Sequence, residues 1–297
     1  MTANTHFSAH DSQSKSTPRP GAPATPKPIE GFIDFGHLTF DHLHNTRDLG
    51  GLPTQDGRHI KMNRLIRSGD LHAAHEKDLE KLVGELGVER VVDFRTDAER
   101  NHHPDPTEKM KTVTFYDLPV IQMATLGITH ENTLNQDVEL LEQYQKDPFS
   151  IIGSIYPIAL LGEEGKHAYA SFLDILLNAE NGATLWHCTE GKDRAGLGSV
   201  LAEYALGVSK DDIYADYLAT NLFVRSHVDH LADLAGSHHI AEHLDADIDA
   251  LYYAYTSYLD GAIEAVEREY GSMDAYLSEA LHFGQGKREK LQALYLV

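Results

Sequence analysis

The residues of this chain best suited to covalent chemistry are one cysteine and the arginine six positions after it. Cys188 is the only cysteine among 297 residues, and the stretch up to Arg194 also carries Gly191, Lys192 and Asp193. The apolar segment ATLWHC leads into the cysteine, and AGLGSVLAEYALG follows the arginine. These patterns predict a strand, a short loop and a helix in direct succession.

A loop of this kind can bind a dianion beside a nucleophilic sulfur. Backbone N–H groups before a helix and the positive end of the helix dipole point toward the same place. Gly191 permits a tight turn, and the planar guanidinium of Arg194 can bind two phosphate oxygens. The same surroundings are expected to lower the pKa of Cys188, whose thiolate is the attacking form. A buried structural cysteine is the alternative, but it leaves the charged loop unexplained.

Composition and charge limit the classes of function. A chain of 297 residues with 41% hydrophobic residues can bury a full core. The formal net charge of −21 disfavours nucleic acid and anionic membranes as partners, because both would be repelled. An anionic substrate therefore needs a strongly positive local site.

Targeting and metal-binding signals are not found in the sequence. It contains no apolar run of about 18 residues and no apolar N-terminal segment, so neither a membrane span nor a signal peptide is predicted. A single cysteine excludes an internal disulfide and favours a cytoplasmic location, with export without a signal peptide as the alternative. The 19 histidines form neither an HExxH motif nor a Cys/His framework, so no metal site is predicted.

Alternating strand and helix patterns predict an α/β fold. Apolar segments at 58–69, 88–94, 111–120 and 183–188 are interpreted as strands of a largely parallel central sheet flanked by helices. The C-terminal region from residue 243 onward is predicted to be helical.

The N-terminal and central segments differ from this pattern. Residues 1–30 are rich in Ser, Thr, Pro and Ala and are predicted to be a disordered tail, which leaves 31–297 as a single domain. Residues 122–165 are less regular, with a one-sided apolar stripe and an apolar stretch interrupted by Gly and Pro. The sequence is equally compatible with two interpretations of this segment, an ordinary pair of surface helices and a helical lid.

The cysteine loop resembles that of a known enzyme superfamily. The sequence HCTEGKDRAG (187–196) is similar to the loop of the cysteine-dependent protein tyrosine phosphatases. More narrowly, it resembles the loop of bacterial tyrosine phosphatases with combined phosphoprotein and phosphoinositide activity, which reads HCxxGKDRTG. Further resemblances cover about residues 37–297. They are NTRDLGG (45–51), LIRSGDL (65–71), VVDFRTDAER (91–100), DYLATN (216–221) and YGSMDAYL (270–277).

The resemblance implies a phosphatase fold, with 122–165 as a helical lid, and a two-step reaction without metal or cofactor. Cys188 attacks phosphorus to give a cysteinyl-phosphate, and water then releases inorganic phosphate. Arg194 binds the phosphoryl group, His187 supports the loop and tunes the thiolate, and Asp193 is the general acid. The implied phosphate-binding residues are Thr189, Glu190, Gly191, Lys192, Asp193 and Arg194.

The same resemblance implies the class of substrate. Phosphotyrosine in proteins is the first candidate, with phosphoserine, phosphothreonine and phosphoinositides as further ones. Lys192 matches the loop lysine that the family associates with phosphoinositide head groups. The net charge of −21 and the lack of a long apolar run predict neither a nucleic-acid partner nor integral membrane association.

Two other carboxylates compete with Asp193 for the role of acid. Asp117 could lie on a mobile acid loop, as in other branches of the superfamily, and Asp93 ends a predicted strand. Asp193 is favoured because it already lies on the loop. For Asp93, and for Asp48, pairing with the neighbouring arginine or capping of backbone amides is favoured.

One position departs from the family. The residue after the loop arginine is usually Thr or Ser, whose hydroxyl donates to the departing thiolate, whereas this chain has Ala195. Slow hydrolysis of the intermediate is therefore expected.

Two rival functions use the same features. A rhodanese-like sulfurtransferase also places a cysteine loop before a helix, but the Lys-Asp-Arg run counts against it. A weakly active phosphate-binding adaptor is indicated only by Ala195, and the intact Cys188 and Arg194 count against that function.

Overall fold

A five-stranded sheet lies at the centre of the part of the chain that the structure describes. The computed structural model describes residues 23–122, 147–224 and 249–297. The strands are β1 Arg47–Asp48, β2 Leu65–Ser68, β3 Val88–Asp93, β4 Thr114–Asp117 and β5 Ala183–His187. Their order in space is β1-β2-β5-β3-β4, and only β1 runs antiparallel to its neighbour. The predicted largely parallel sheet is confirmed.

The carboxyl ends of the parallel strands lie in register at one edge of the sheet. His187 is level with Ser68 on one side and with Asp93 on the other, and Asp93 is level with Asp117. We call the edge formed by these four residues the carboxyl edge. Ligands of parallel α/β sheets bind at this edge, where loops leave the strands.

Helices cover both faces of the sheet and form the C-terminal region. Two π-helical turns, Lys81–Glu85 and Tyr276–Ala280, each continue a short helix. Short 3-10 turns lie at Ile33–Gly36 and Thr107–Lys109. The helices are α1 Glu76–Glu80, α2 Asp97–His102, α3 Pro148–Leu161, α4 Glu163–Leu177, α5 Arg194–Leu206, α6 Lys210–Phe223, α7 Thr256–Tyr270, α8 Met273–Ala275 and α9 Gln285–Tyr295.

The strand predicted over 58–69 is shorter in the structure, where β2 covers only Leu65–Ser68. Asn63 has a φ of 54°, in the left-handed region, and its N–H donates to Asp48 Oδ2 over 2.7 Å. A residue in this conformation interrupts an extended strand. Asp48 also accepts from the N–H of Gly50, so its predicted role as a cap of backbone amides is confirmed.

The helix after the cysteine loop is buried on nearly every side. Of α5, only Tyr204 is not fully buried, because α4, α6 and α9 pack around the helix. The indole of Trp186, on β5, donates to the carbonyl oxygen of Ala195 at 3.1 Å. The loop is therefore held between a central strand and a central helix.

The predicted boundary of the N-terminal tail at residue 30 is too late. Ile29 is buried in the main core, and Asn221 Nδ2 donates to the carbonyl oxygen of Ala24 at 3.0 Å. The composition of the segment did not indicate this contact, because Ile29 is a single apolar residue in a Pro-rich stretch. Residues 1–22 of the predicted tail lie outside the described residues.

The predicted lid falls mostly outside the described residues, which exclude 123–146. Its remaining part forms α3, whose Ile152, Ile155 and Tyr156 are buried in the main core against α7. None of the described helices is long and apolar enough to span a membrane.

Candidate active site

The cysteine loop begins at the carboxyl edge and ends at a helix N-terminus. Strand β5 ends at His187, the loop runs over 188–193, and α5 begins at Arg194. The predicted strand, loop and helix are confirmed. Cys188 is 2% exposed, and the backbone N–H of Ala195 acts to lower the pKa of its thiol. The sulfur thus lies at the positive end of α5.

The thiol of Cys188 is less acidic than the sequence led us to expect. Burial raises its pKa, and the carboxylates of Asp193 and Glu99 act in the same direction. The charge of Arg194 and the N–H of Ala195 lower the pKa, but they do not compensate. The prediction of a lowered pKa is therefore wrong, because it ignored burial and the acidic partner of Arg194.

That acidic partner is Glu99, in the first turn of α2. Arg194 donates from Nη1 to Glu99 Oε2 at 2.6 Å and from Nη2 to Oε1 at 2.8 Å. The Thr189 hydroxyl donates to Glu99 Oε1 at 2.7 Å. Although burial acts to raise the pKa of Glu99, Arg194 holds it well below its usual range. The guanidinium is therefore fixed by a bidentate ion pair.

Sequence reasoning missed Glu99 although a local signal was present. Thr96 and Glu99 form a capping box, in which Glu99 N–H donates to Thr96 Oγ1 and Thr96 N–H donates to Glu99 Oε2. The spacing T-x-x-E is the usual signature of such a box. It places Glu99 at the start of a helix beside the carboxyl edge, where it meets the loop.

We expect removal of the Glu99 charge to make Cys188 more acidic. In Glu99→Gln, one of the causes that raise the pKa of Cys188 is gone, and Arg194 is no longer neutralised. The pH at which iodoacetamide alkylation of Cys188 reaches half its maximal rate should therefore decrease. Asp97→Asn, an exposed acid on the same helix, is the matched control. An unchanged or higher midpoint in Glu99→Gln would contradict this electrostatic account.

Lys192 directs its charge into the protein. Its side chain is fully buried, and Nζ donates to the carbonyl oxygens of Leu251 and, at 3.5 Å, of Tyr253. It also lies 3.3 Å from Asp193 Oδ1. Lys192 therefore ties the loop to the segment before α7.

Asp193 is held by a pair of buried tyrosines. The Tyr156 hydroxyl donates to Asp193 Oδ1 and lies 2.8 Å from the Tyr217 hydroxyl. Burial raises the pKa of both tyrosines well above the ordinary value, so both stay neutral donors. The contact fixes one carboxylate oxygen of Asp193.

The rival acid Asp117 lies elsewhere along the carboxyl edge. It ends β4, two strands from β5, which corresponds to about 10 Å at the usual strand spacing. Its side chain is 63% exposed and lies 3.7 Å from Arg100 Nε. Asp93 instead forms a buried ion pair with Arg95 at 2.7 Å, so its predicted structural role is confirmed.

His187 connects the loop to a buried charge cluster. Its Nδ1 lies 3.1 Å from the carbonyl oxygen of Cys188, and its Nε2 lies 3.0 Å from Asp105 Oδ2. Burial acts to lower the pKa of His187, but Asp105 and Asp93 outweigh it and raise the pKa. Protonated His187 can donate from both nitrogens. Arg95 binds both carboxylates, so two acidic groups face two basic ones.

A second buried cluster joins three of the segments that resemble the phosphatase family. Asp216 accepts from Arg47 Nη1 at 2.5 Å and from Arg67 Nη1 at 2.8 Å, and all three side chains are buried. Arg67 Nη2 also donates to the carbonyl oxygen of Gly191 at 2.7 Å. NTRDLGG, LIRSGDL and DYLATN thus meet behind the cysteine loop and support it.

Comparison with known proteins agrees with this architecture. The model of the tyrosine phosphatase family matches residues 38–297. A Cupriavidus necator protein named as a tyrosine-protein phosphatase is 33% identical over 268 residues, covering 88% of this chain and 89% of its own. A tyrosine-protein phosphatase of Nostoc commune is 26% identical over 73% of this chain and 69% of its own. The triple specificity protein phosphatase PtpB of Mycobacterium tuberculosis is 28% identical over 36% of this chain and 41% of its own.

Proposed function

The chain belongs to the tyrosine phosphatase family and is a phosphatase, and we propose that it hydrolyses phosphotyrosine through a cysteinyl-phosphate on Cys188. One observation carries the proposal: Cys188 lies in the loop at the N-terminus of a buried helix, and Arg194, the first residue of that helix, is held in place by Glu99. A positive helix end and a guanidinium together suit a phosphoryl dianion.

In the first step the Cys188 thiolate attacks phosphorus. The S–P bond forms while the bond from phosphorus to the tyrosine oxygen breaks, and Asp193 gives its proton to that oxygen. Arg194 and the loop amides bind the phosphoryl oxygens, where negative charge is spread in the transition state. The bidentate contact with Glu99 supports this role because it orients the guanidinium before substrate arrives.

In the second step water attacks the cysteinyl-phosphate. The Asp193 carboxylate takes a proton from the water, the S–P bond breaks, and Cys188 leaves as a thiolate with release of inorganic phosphate. The N–H of Ala195 stabilises the departing sulfur. His187 acts as a support, since its Nδ1 lies near the carbonyl oxygen of Cys188.

Phosphoserine, phosphothreonine and phosphoinositides are proposed as secondary substrates. The name of the mycobacterial relative, a triple specificity phosphatase, supports a broad range. The buried Lys192 does not support a direct contact with an inositol head group, because its Nζ binds backbone carbonyls. We therefore rank phosphotyrosine first.

The family match supports this reaction over sulfur transfer and over a weakly active phosphate-binding adaptor. We also propose a cytoplasmic location, because a single reactive thiol is best preserved in a reducing compartment.

A substrate panel tests the proposal. Release of inorganic phosphate is measured from a phosphotyrosine peptide, the matching phosphoserine and phosphothreonine peptides, and vesicles that contain phosphoinositides. We expect the highest kcat/KM for the phosphotyrosine peptide. A higher kcat/KM for phosphoinositides would show that the enzyme prefers lipid substrates. No phosphate release from any substrate would refute the proposal.

A further inference from the structure

We infer that Asn45 is a positioning residue, which aims the backbone N–H groups of Gly191 and Lys192 at the phosphoryl group. The inference rests on the proposed function, since it names what prepares the loop to bind that group. Asn45 lies just before β1, 145 residues from the loop in sequence, and is 1% exposed.

The contact is made by one side-chain amide with two carbonyl groups. Asn45 Nδ2 donates to the carbonyl oxygen of Glu190 at 3.1 Å and to that of Gly191 at 3.1 Å. Because a carbonyl oxygen only accepts, the nitrogen of the amide must face both of them. The two hydrogens of a single NH₂ group thus fix two successive peptide units.

Fixing these carbonyls also fixes the direction of the amides. In a trans peptide the C=O of one residue and the N–H of the next point in opposite directions. The carbonyls of Glu190 and Gly191 point toward Asn45, so the N–H groups of Gly191 and Lys192 point away from it. Two donors are thereby directed to the opposite face of the loop.

Neighbouring residues hold the same arrangement. Arg67 Nη2 donates to the carbonyl oxygen of Gly191 at 2.7 Å, so this oxygen has two donors. Gly191 has a φ of +66°, and a Cβ at this position would lie 2.5 Å from the carbonyl oxygen of Ser68. The loop therefore lies directly against the end of β2. Asn45 itself has a φ of 51°, a conformation that asparagine tolerates better than most residues.

Binding of inorganic phosphate, measured by calorimetry, separates positioning from general stability. Glycine is the suitable replacement because it accepts a positive φ. In Asn45→Gly we expect the affinity for phosphate to decrease by about tenfold for each amide that loses its direction. Asn63→Gly is the matched control: it is the same substitution at a positive φ, with an exposed side chain, and should bind phosphate like wild type.

A second variant keeps the shape of the side chain. Asn45→Asp presents a carboxylate to two carbonyl oxygens, which repel it, whereas the protonated acid can donate to one of them. Its phosphate affinity relative to wild type should therefore decrease as pH rises. A loss of side-chain packing alone would not change with pH in this way, and the variant remains informative if Asn45→Gly does not fold.

The outcomes distinguish the inference from the proposed function. If wild type binds phosphate and both Asn45 variants bind it equally well, the inference is wrong and the proposed function stands. If wild type itself binds no inorganic phosphate, the loop amides do not form the anion site and the inference is wrong; the proposed function fails only if the phosphotyrosine peptide also releases no phosphate. Weaker binding in both variants, with a pH-dependent ratio for Asn45→Asp and an unchanged control, supports the positioning role.

Discussion

Replacing Cys188 by serine should reduce turnover by about 10⁴-fold or more while the fold and the phosphate affinity are kept. A serine hydroxyl is hardly ionised at neutral pH and cannot replace the thiolate as nucleophile. The loop amides, Arg194 and Glu99 are unchanged, so the anion site remains. Phosphate release from a phosphotyrosine peptide measures the decrease in turnover. Calorimetric titration with inorganic phosphate measures the retained affinity, and thermal unfolding measures the retained stability of the fold.

The single cysteine gives this experiment an internal control. Iodoacetamide labelling should disappear in Cys188→Ser, since the chain has no other thiol. Activity within tenfold of wild type, with labelling lost, would remove Cys188 from the mechanism.

Replacing Asp193 by asparagine should affect poor leaving groups far more than good ones. A leaving oxygen that holds negative charge badly needs a proton from the acid, whereas a nitrophenolate does not. We expect a decrease in kcat/KM of about 10² or more for phenyl or alkyl phosphates and a much smaller one for nitrophenyl phosphate. Steady-state rates over a series of leaving groups measure the difference.

Asp117→Asn is the matched control for the acid. Asp117 is an exposed carboxylate at the same carboxyl edge, two strands from β5, and its removal should not change the leaving-group dependence. If Asp117→Asn shows the steep dependence and Asp193→Asn does not, the general acid is Asp117.

Local patterns were enough to predict the frame of the site. The apolar segment before Cys188 and the helical pattern after Arg194 are both continuous in sequence, and the structure has them as β5 and α5. The Asp93–Arg95 pair was also predictable, because the two residues are close in the chain at the end of a strand.

Contacts between distant segments were not predictable from one sequence. The hydroxyl that binds Asp193 comes from Tyr156 on α3, and no periodicity indicates which side chain will reach the loop. The side chain of Lys192 points toward the carbonyl oxygen of Leu251, 59 residues away in sequence. The resemblance to a lysine that binds head groups therefore did not predict that Lys192 is buried. The sequence predicts a lowered pKa for Cys188, whereas burial, Asp193 and Glu99 raise it, because the sequence does not show how deeply the sulfur is buried or that Glu99 lies beside it.

The most direct test of the central claim is to trap the intermediate on the wild-type enzyme. Ala195 offers the departing sulfur a backbone N–H but no hydroxyl, so hydrolysis of the cysteinyl-phosphate should be slow enough for it to accumulate with nitrophenyl phosphate. After a rapid acid quench, mass spectrometry of the peptide that contains Cys188 should show one added phosphoryl group on the cysteine. Phosphate release with no phosphoryl group on Cys188, or with the group on another residue such as His187, would contradict the account.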